Sequence, residues 1–203
     1  RTWDRKNKEQ RTFTANQCGF GYRNSIFKED RNRYVIFEVT VQLKKGELSI
    51  PITYSELARE LGISSGERAA VTKVREATLA IRNRKGMVLS TTDRDSWSAG
   101  SFFINPSVVP EVAAALPSDA PRWPNSDGSI KLSAAWLLEN SGISKGERFG
   151  GAGISTKHVL AITNVDSATS SDVVELALRC QNAVHKRFGI TLVPEVQLIG
   201  LAL

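Results

Sequence analysis

The sequence predicts an α+β fold, and three observations carry that prediction. Residues 34–43 (YVIFEVTVQL) are rich in β-branched and aromatic side chains and alternate with a period of two, which puts Val35, Phe37, Val39 and Val41 on one face of a strand. Ser170–Phe188 sets Val173, Ala177, Cys180, Val184 and Phe188 on one helical stripe and is followed by Gly189, a helix with its stop signal. Strands and helices are interspersed along the rest of the chain without the regular alternation of a parallel sheet.

The remaining elements follow in order. Residues 1–19 are polar and basic, and predict a strand end and a loop. Residues 54–61 predict a short helix stopped by Gly62. Residues 67–84 predict a longer one, with Ala70, Val74, Ala77 and Ile81 inward, Lys73, Arg75, Arg82, Arg84 and Lys85 outward, and Gly86 closing it. Residues 89–99 are rich in Ser, Thr and Asp and predict a long loop; 100–106 form a short apolar run, and 108–116 are weakly helical. Three prolines and Gly128 make 117–128 a surface loop. Ser133 is placed to cap a helix running through Asn140, with Gly142 just past its end. Residues 159–163, 190–193 and 195–199 predict short strands.

Composition narrows the class. Hydrophobic residues make up 41% and charged residues 24%, which excludes disorder, collagen and coiled coil. No run approaches the ~20 apolar residues that cross a bilayer, so no membrane is expected as a partner. Residues 1–6 are charged and lack the apolar core of a secretory leader. Cys18 and Cys180 lie far apart and, with only His158 and His185, give no metal-ligand spacing. No metal is expected, both cysteines read as small buried hydrophobes, and low cysteine use fits the cytoplasm. The net charge of +6 points to an anionic partner, whether nucleic acid, a membrane surface or a phosphorylated small molecule, or to no more than a soluble basic surface. Against a basic nucleic-acid-binding domain, the aromatics are not interleaved with Lys and Arg, and no recognition motif occurs.

Each candidate motif has a functional and a plain reading. GFGYRNS (19–25) sets Tyr22 and Arg23 between turn residues; Arg23 offers a planar fork for a carboxylate, or makes an ordinary surface ion pair. Arg82 and Lys85, spaced i,i+3, share a helical face that suits a diphosphate or is simply solvated. Tyr54 at a helix start is a ligand or a partly buried anchor. In AGSFFINP (99–106), strand geometry puts Ser101, Phe103 and Asn105 on one face and Phe102 on the other, either toward a cleft or as a serine beside two core rings. A serine is a weak acid, so protonating carbon requires that a strong base has formed. Glu195 is a carboxylate inside an apolar strand, either functional or in a structural ion pair. No nucleophile elbow, P-loop or dinucleotide fingerprint is present.

Taken in order, GYRNSIFK (21–28), PITYSEL (51–57), IRNRKG (81–86), AGSFFINP (99–106), KLSAAWLLENSG (131–142) and PEVQLIG (194–200) resemble the UDP-N-acetylenolpyruvoylglucosamine reductases, the MurB family, in its type I subgroup. The resemblance runs over essentially the whole chain. It implies the end of a second flavin-binding lobe at 1–45, a tyrosine-loop and helical insert at 46–88, a substrate-binding domain at 89–189, and a tail at 190–203 returning to the active site. It implies reduction of enolpyruvyl-UDP-N-acetylglucosamine to UDP-N-acetylmuramate, with FAD and NADPH as cofactors, by a cytoplasmic monomer. Ser101 matches the proton donor, and the adjacent enolate supplies the strong base that a serine needs. Arg23 matches the residue that pairs with the developing carboxylate charge, and Glu195 a hydrogen-bond donor that polarises it. Tyr22, Tyr54, Lys85 and Asn105 match positions that hold substrate, Tyr54 and Lys85 on the diphosphate; Arg82 and His158 are assigned to the same pocket. The family's N-terminal half, which builds most of the flavin site, has no counterpart here, so this chain is expected to supply the substrate domain and proton donor. A UDP-sugar binder without activity would leave Ser101, Arg23 and Glu195 free to vary, yet all three are present.

Overall fold

Three small antiparallel sheets and six α-helices make up the mixed fold in the computed structural model, which describes residues 1–203. The chain divides into two units, Arg1–Gly46 and Glu47–Leu203.

In the first unit, β1 (Thr2–Asp4) lies between β2 (Glu9–Arg11) and, after α1 (Ile26–Glu29), β3 (Tyr34–Ile36). The N-terminal stretch is therefore a hairpin rather than a strand end and loop. Asp4 explains why: its carboxylate accepts the backbone N–H groups of Lys6 and Asn7 at 3.0 and 3.2 Å and so closes the turn. The same carboxylate, wholly buried, receives Arg33 at 3.0 Å. Phe13, Phe27 and Tyr34 pack edge to face, with ring centroids 5.4, 5.3 and 5.5 Å apart. The strand expected over 34–43 stops at Ile36. A strand needs a neighbour to hydrogen-bond along, and β1 aligns only Thr2–Asp4 against it. Phe37 and Glu38 both donate to the Arg1 carbonyl, and Val39, Val41 and Leu43 are exposed.

The second unit opens with α2 (Ser55–Leu61), stopped by left-handed Gly62, and α3 (Val71–Arg84). The longer helix starts later than its apolar stripe suggests. Residues 67–70 give their backbone to the preceding segment instead, through Ser49 N–H to Ala69 O at 2.9 Å and Ile52 N–H to Glu67 O at 2.8 Å. Ala77 and Ile81 are buried as expected, whereas Ala70 is exposed.

Then come β4 (Ser98–Ser101), β5 (Ser107–Val108), α4 (Pro110–Ala114), β6 (Arg122–Pro124), β7 (Ile130–Leu132), α5 (Ala134–Glu139), β8 (Arg148–Phe149), β9 (Ala152–Ile154), β10 (Ala161–Asn164) and α6 (Ser170–Phe188). Two expected loops contain structure. Residues 89–99 hold a 3-10 turn over Arg94–Ser96, capped by the Asp93 side chain, and the start of β4. Residues 117–128 hold β6, an edge strand that tolerates Pro124 because its outer side needs no ladder. Conversely, 190–193 and 195–199 form no regular strands. Pro194 has no N–H to donate, and the tail is held by Val193 O and Glu195 N–H on either side of it. The sheet β4-β10-β9-β8 carries α6 on one face, with Phe102, Phe103, Leu137, Leu138, Leu176, Cys180 and Val184 in the core beneath. Both cysteines are buried and unpaired with each other.

Candidate functional site

α2 and α3 pack together over a cleft of about 400 Å³ lined by Tyr54, Leu57, Thr78, Ile81, Arg82, Lys85, Met87 and His158. Thr78, Ile81 and Arg82 fall at i, i+3 and i+4 on one face of α3, and Lys85, at i+7 just past its end, continues that face, so together they supply half the lining. Lys85 follows the last turn of α3, where the helix dipole favours a cation. Gly86 holds a φ of 67°, and a Cβ there would meet the Asp95 carbonyl at 3.0 Å, so the exit from α3 requires glycine.

His158 arrives from the turn before β10. Ser155 Oγ accepts the backbone N–H of Lys157 and His158 at 3.0 and 3.2 Å, and Thr156 N–H donates to Asp95 at 2.8 Å. Lys157 pairs with Asp93 at 2.5 Å, so the turn is tied down on both sides. His158 Nδ1 accepts the Leu160 N–H at 3.1 Å, which leaves the proton on Nε2. Burial, then the charges of Lys85 and Lys145, push this imidazole below its ordinary pKa. It is a neutral donor beside the cations of the cleft.

A second group forms at the end of β4. Ser101 pairs with Ala161 of β10, whose N–H donates to His158 O at 3.0 Å, so short backbone links join this group to the cleft. Phe102 N–H donates to Leu160 O at 2.7 Å, and Phe102 O accepts Glu195 N–H at 2.7 Å. The tail thus brings half-buried Glu195 beside the residue that follows Ser101. The expected alternation of Phe102 and Phe103 across the strand does not hold. β4 ends at Ser101, and both rings enter the core with centroids 5.0 Å apart. Asn105 has a structural use: its Oδ1 accepts the Ala134 N–H at 2.9 Å, satisfying an open donor at the start of α5.

Tyr22 and Arg23 belong to the first unit. Arg23 sits in a turn closed by Gly21 and Asn24, with φ of 54°, and its guanidinium lies 5.7 Å from the Tyr22 ring centroid. Left-handed backbone costs a residue with a side chain about 1–2 kcal/mol.

The structure therefore gathers Tyr54, Arg82, Lys85 and His158 around one cleft, and ties the segments that carry Ser101 and Glu195 to the His158 turn through backbone hydrogen bonds. One residue there was missed. Glu56 Oε2 accepts both the Tyr54 hydroxyl at 3.1 Å and Lys85 Nζ at 2.5 Å. The Lys85 ammonium first, and the Tyr54 hydroxyl with it, hold its carboxyl below the ordinary range. A signal existed: Glu56 and Glu60 are spaced i,i+4 on one helix, and Arg84-Lys85 end the next.

Comparison with known proteins gives a consistent result. A family model described as the C-terminal domain of UDP-N-acetylenolpyruvoylglucosamine reductase matches residues 92–199. Reductases of that name resemble the whole chain. The Cutibacterium acnes protein is 51% identical over 203 residues, covering 98% of this chain and 53% of its own length. The Thermobifida fusca protein is 46% identical, covering 99% and 59%. The Mycobacterium tuberculosis protein is 46% identical, covering 100% and 58%. The chain spans little more than half the length of these relatives.

Proposed function

The chain belongs to the UDP-N-acetylenolpyruvoylglucosamine reductase family, and we propose that it supplies the substrate domain and proton donor of an oxidoreductase that converts enolpyruvyl-UDP-N-acetylglucosamine to UDP-N-acetylmuramate in peptidoglycan precursor synthesis. The observation that carries this reading is the convergence of Tyr54, of Arg82 with Lys85, and of His158, three separate segments of the chain, on one cleft. Two cations, a phenol and a neutral imidazole donor suit a diphosphate next to a sugar. In this reading residues 1–45 end a flavin-binding lobe, 46–88 form the tyrosine-bearing insert, 89–189 the substrate domain, and 190–203 the returning tail. The reading brings with it a cytoplasmic monomer; no helix is long and apolar enough to cross a membrane.

The residues here fit the substrate rather than the flavin. Of the aromatic side chains of the first unit, Phe13, Phe27 and Tyr34 are packed on one another while Phe20, Tyr22 and Phe37 are exposed, and Cys18 is its only buried apolar side chain. We assign the flavin cradle to the part of the relatives' length that this chain does not span. FAD, reduced by NADPH, supplies hydride when bound. The chain's own residues deal with what hydride addition leaves behind. As the vinyl carbon gains hydride, its neighbour becomes an enolate-type carbanion, and the Ser101 hydroxyl hands it a proton. Arg23 pairs with the carboxylate as its charge grows, Glu195 helps to polarise it, and Tyr22 and Asn105 help to orient the substrate.

The test uses the flavin-loaded enzyme. Its flavin is reduced with one equivalent of NADPH without oxygen, and enolpyruvyl-UDP-N-acetylglucosamine is added. Flavin absorbance returns rapidly in the parent, and Ser101→Ala slows that return by about 10²–10³-fold, the usual cost of one transition-state contact. Reduced flavin that ignores the substrate removes the reductase reading.

A further inference from the structure

We propose that Glu56 is a placeholder: its carboxylate holds the position on Tyr54 and Lys85 that a phosphate oxygen of the incoming nucleotide takes, and binding displaces it. This rests on reading the cleft as the site of the substrate's diphosphate.

Three features support the assignment. The first is geometry. A single anionic oxygen, Glu56 Oε2, takes both donors, the Tyr54 hydroxyl at 3.1 Å and Lys85 Nζ at 2.5 Å. That is the arrangement a phosphate oxygen would make with the same pair. The second is access. The Lys85 and Glu56 side chains are 34% and 33% exposed, so an anion can reach the pair without the fold opening. The third is the neighbouring pair. Glu60, one turn along α2, makes a two-pronged contact with Arg84 at 2.9 and 2.5 Å. This second bridge fastens α2 to the end of α3, so Glu56 can let go while the helices stay docked. A carboxylate needed only to join the helices would duplicate Glu60; one aimed at the ligand-binding donors keeps Tyr54 and Lys85 aligned until an anion replaces it.

The consequence is competition. Glu56 is a like charge beside the bound diphosphate and a rival for its donors, so removing its charge tightens nucleotide binding. Titration of UDP into the 203-residue chain measures this, with Glu56→Gln, Glu56→Ala and Lys85→Met compared with the parent. Both Glu56 variants bind UDP about three- to tenfold more tightly, the size of one partly screened charge, and the gain shrinks as ionic strength rises. Lys85→Met weakens binding. Thermal melting close to the parent's shows that each variant is folded, and the glutamine and alanine forms check each other. If the parent binds UDP, Lys85→Met weakens it, and both Glu56 variants bind no better than the parent, Glu56 is not a placeholder and the cleft reading stands. If no form binds UDP, or Lys85→Met changes nothing, the cleft reading fails and the placeholder with it.

Discussion

Asp4 and Glu56 are both carboxylates held by a cation, but burial separates their roles. The Asp4 side chain is wholly covered, and a charge there is tolerated because Arg33, Arg11, the Asn7 side-chain amide and the backbone N–H groups of Lys6 and Asn7 meet it. The Arg33 contact holds its pKa down at about 2, against an ordinary 3.8. A carboxyl lowered in the fold stabilises it fully above about pH 4, and that contribution is lost as the pH falls through about 2. Asp4→Asn therefore loosens the β1–β2 turn at neutral pH. Amide exchange over Thr2–Asp4 should speed up in the variant at pH 7, with the gap to the parent closing near pH 2; equal exchange at pH 7 would make the ion pair decorative. Glu56, a third exposed, is instead free to exchange partners. Sequence reasoning singled out Tyr54 and Lys85 because their segments are distinctive in order and spacing. It passed over Glu56 because an acid in the first turn of a helix already has a sufficient local reason to be there. Asn105 carries a use that its sequence context did not signal: its amide oxygen serves the start of α5, which leaves its amide nitrogen for the proposed substrate role.

Length decides which elements can be read from sequence. α6 was legible to its ends, since its five-position stripe repeats over many turns and Gly189 stops it locally. Its start is a reciprocal capping box: the Thr169 hydroxyl accepts the Asp172 N–H at 3.2 Å, and the Asp172 carboxylate accepts the Thr169 N–H at 2.9 Å. Thr169→Ala should lower stability by about 1 kcal/mol in a denaturant titration, and Thr169→Ser should restore most of it. No change in either would mean that packing of α6 on β8 and β9 fixes its start. The three-residue β6 and β7 have too few positions for a period to emerge, and prolines pointed to a loop. The 37–43 segment failed for the opposite reason: its alternation is strong, but pairing is a property of two chain segments and β1 reaches only as far as Ile36.

At the scale of the whole chain, the two units differ in what holds them. Every member of the main apolar core lies between Phe102 and Leu192, within Glu47–Leu203. Arg1–Gly46 buries Thr2, Asp4 and Cys18, and relies on a ring cluster and the ion pairs around Asp4. A segment of that size with so little apolar burial is marginal by itself, since hydrophobic stabilisation scales with the area removed from water. Composition averaged over the chain hides this asymmetry, because the exposed apolar residues of 36–43 count the same as core residues. The two units should therefore lose structure at different denaturant concentrations. Followed by amide exchange in rising urea, β1 to β3 should lose protection first, while α5 and α6 hold until a second, cooperative transition. Leu137→Ala, which empties part of the core, should lower the second transition by about 2–5 kcal/mol and leave the first where it is. Coincident transitions, or a first transition that moves with Leu137→Ala, would mean that the units share their stability, and the division at Gly46 would then describe geometry without energetic independence.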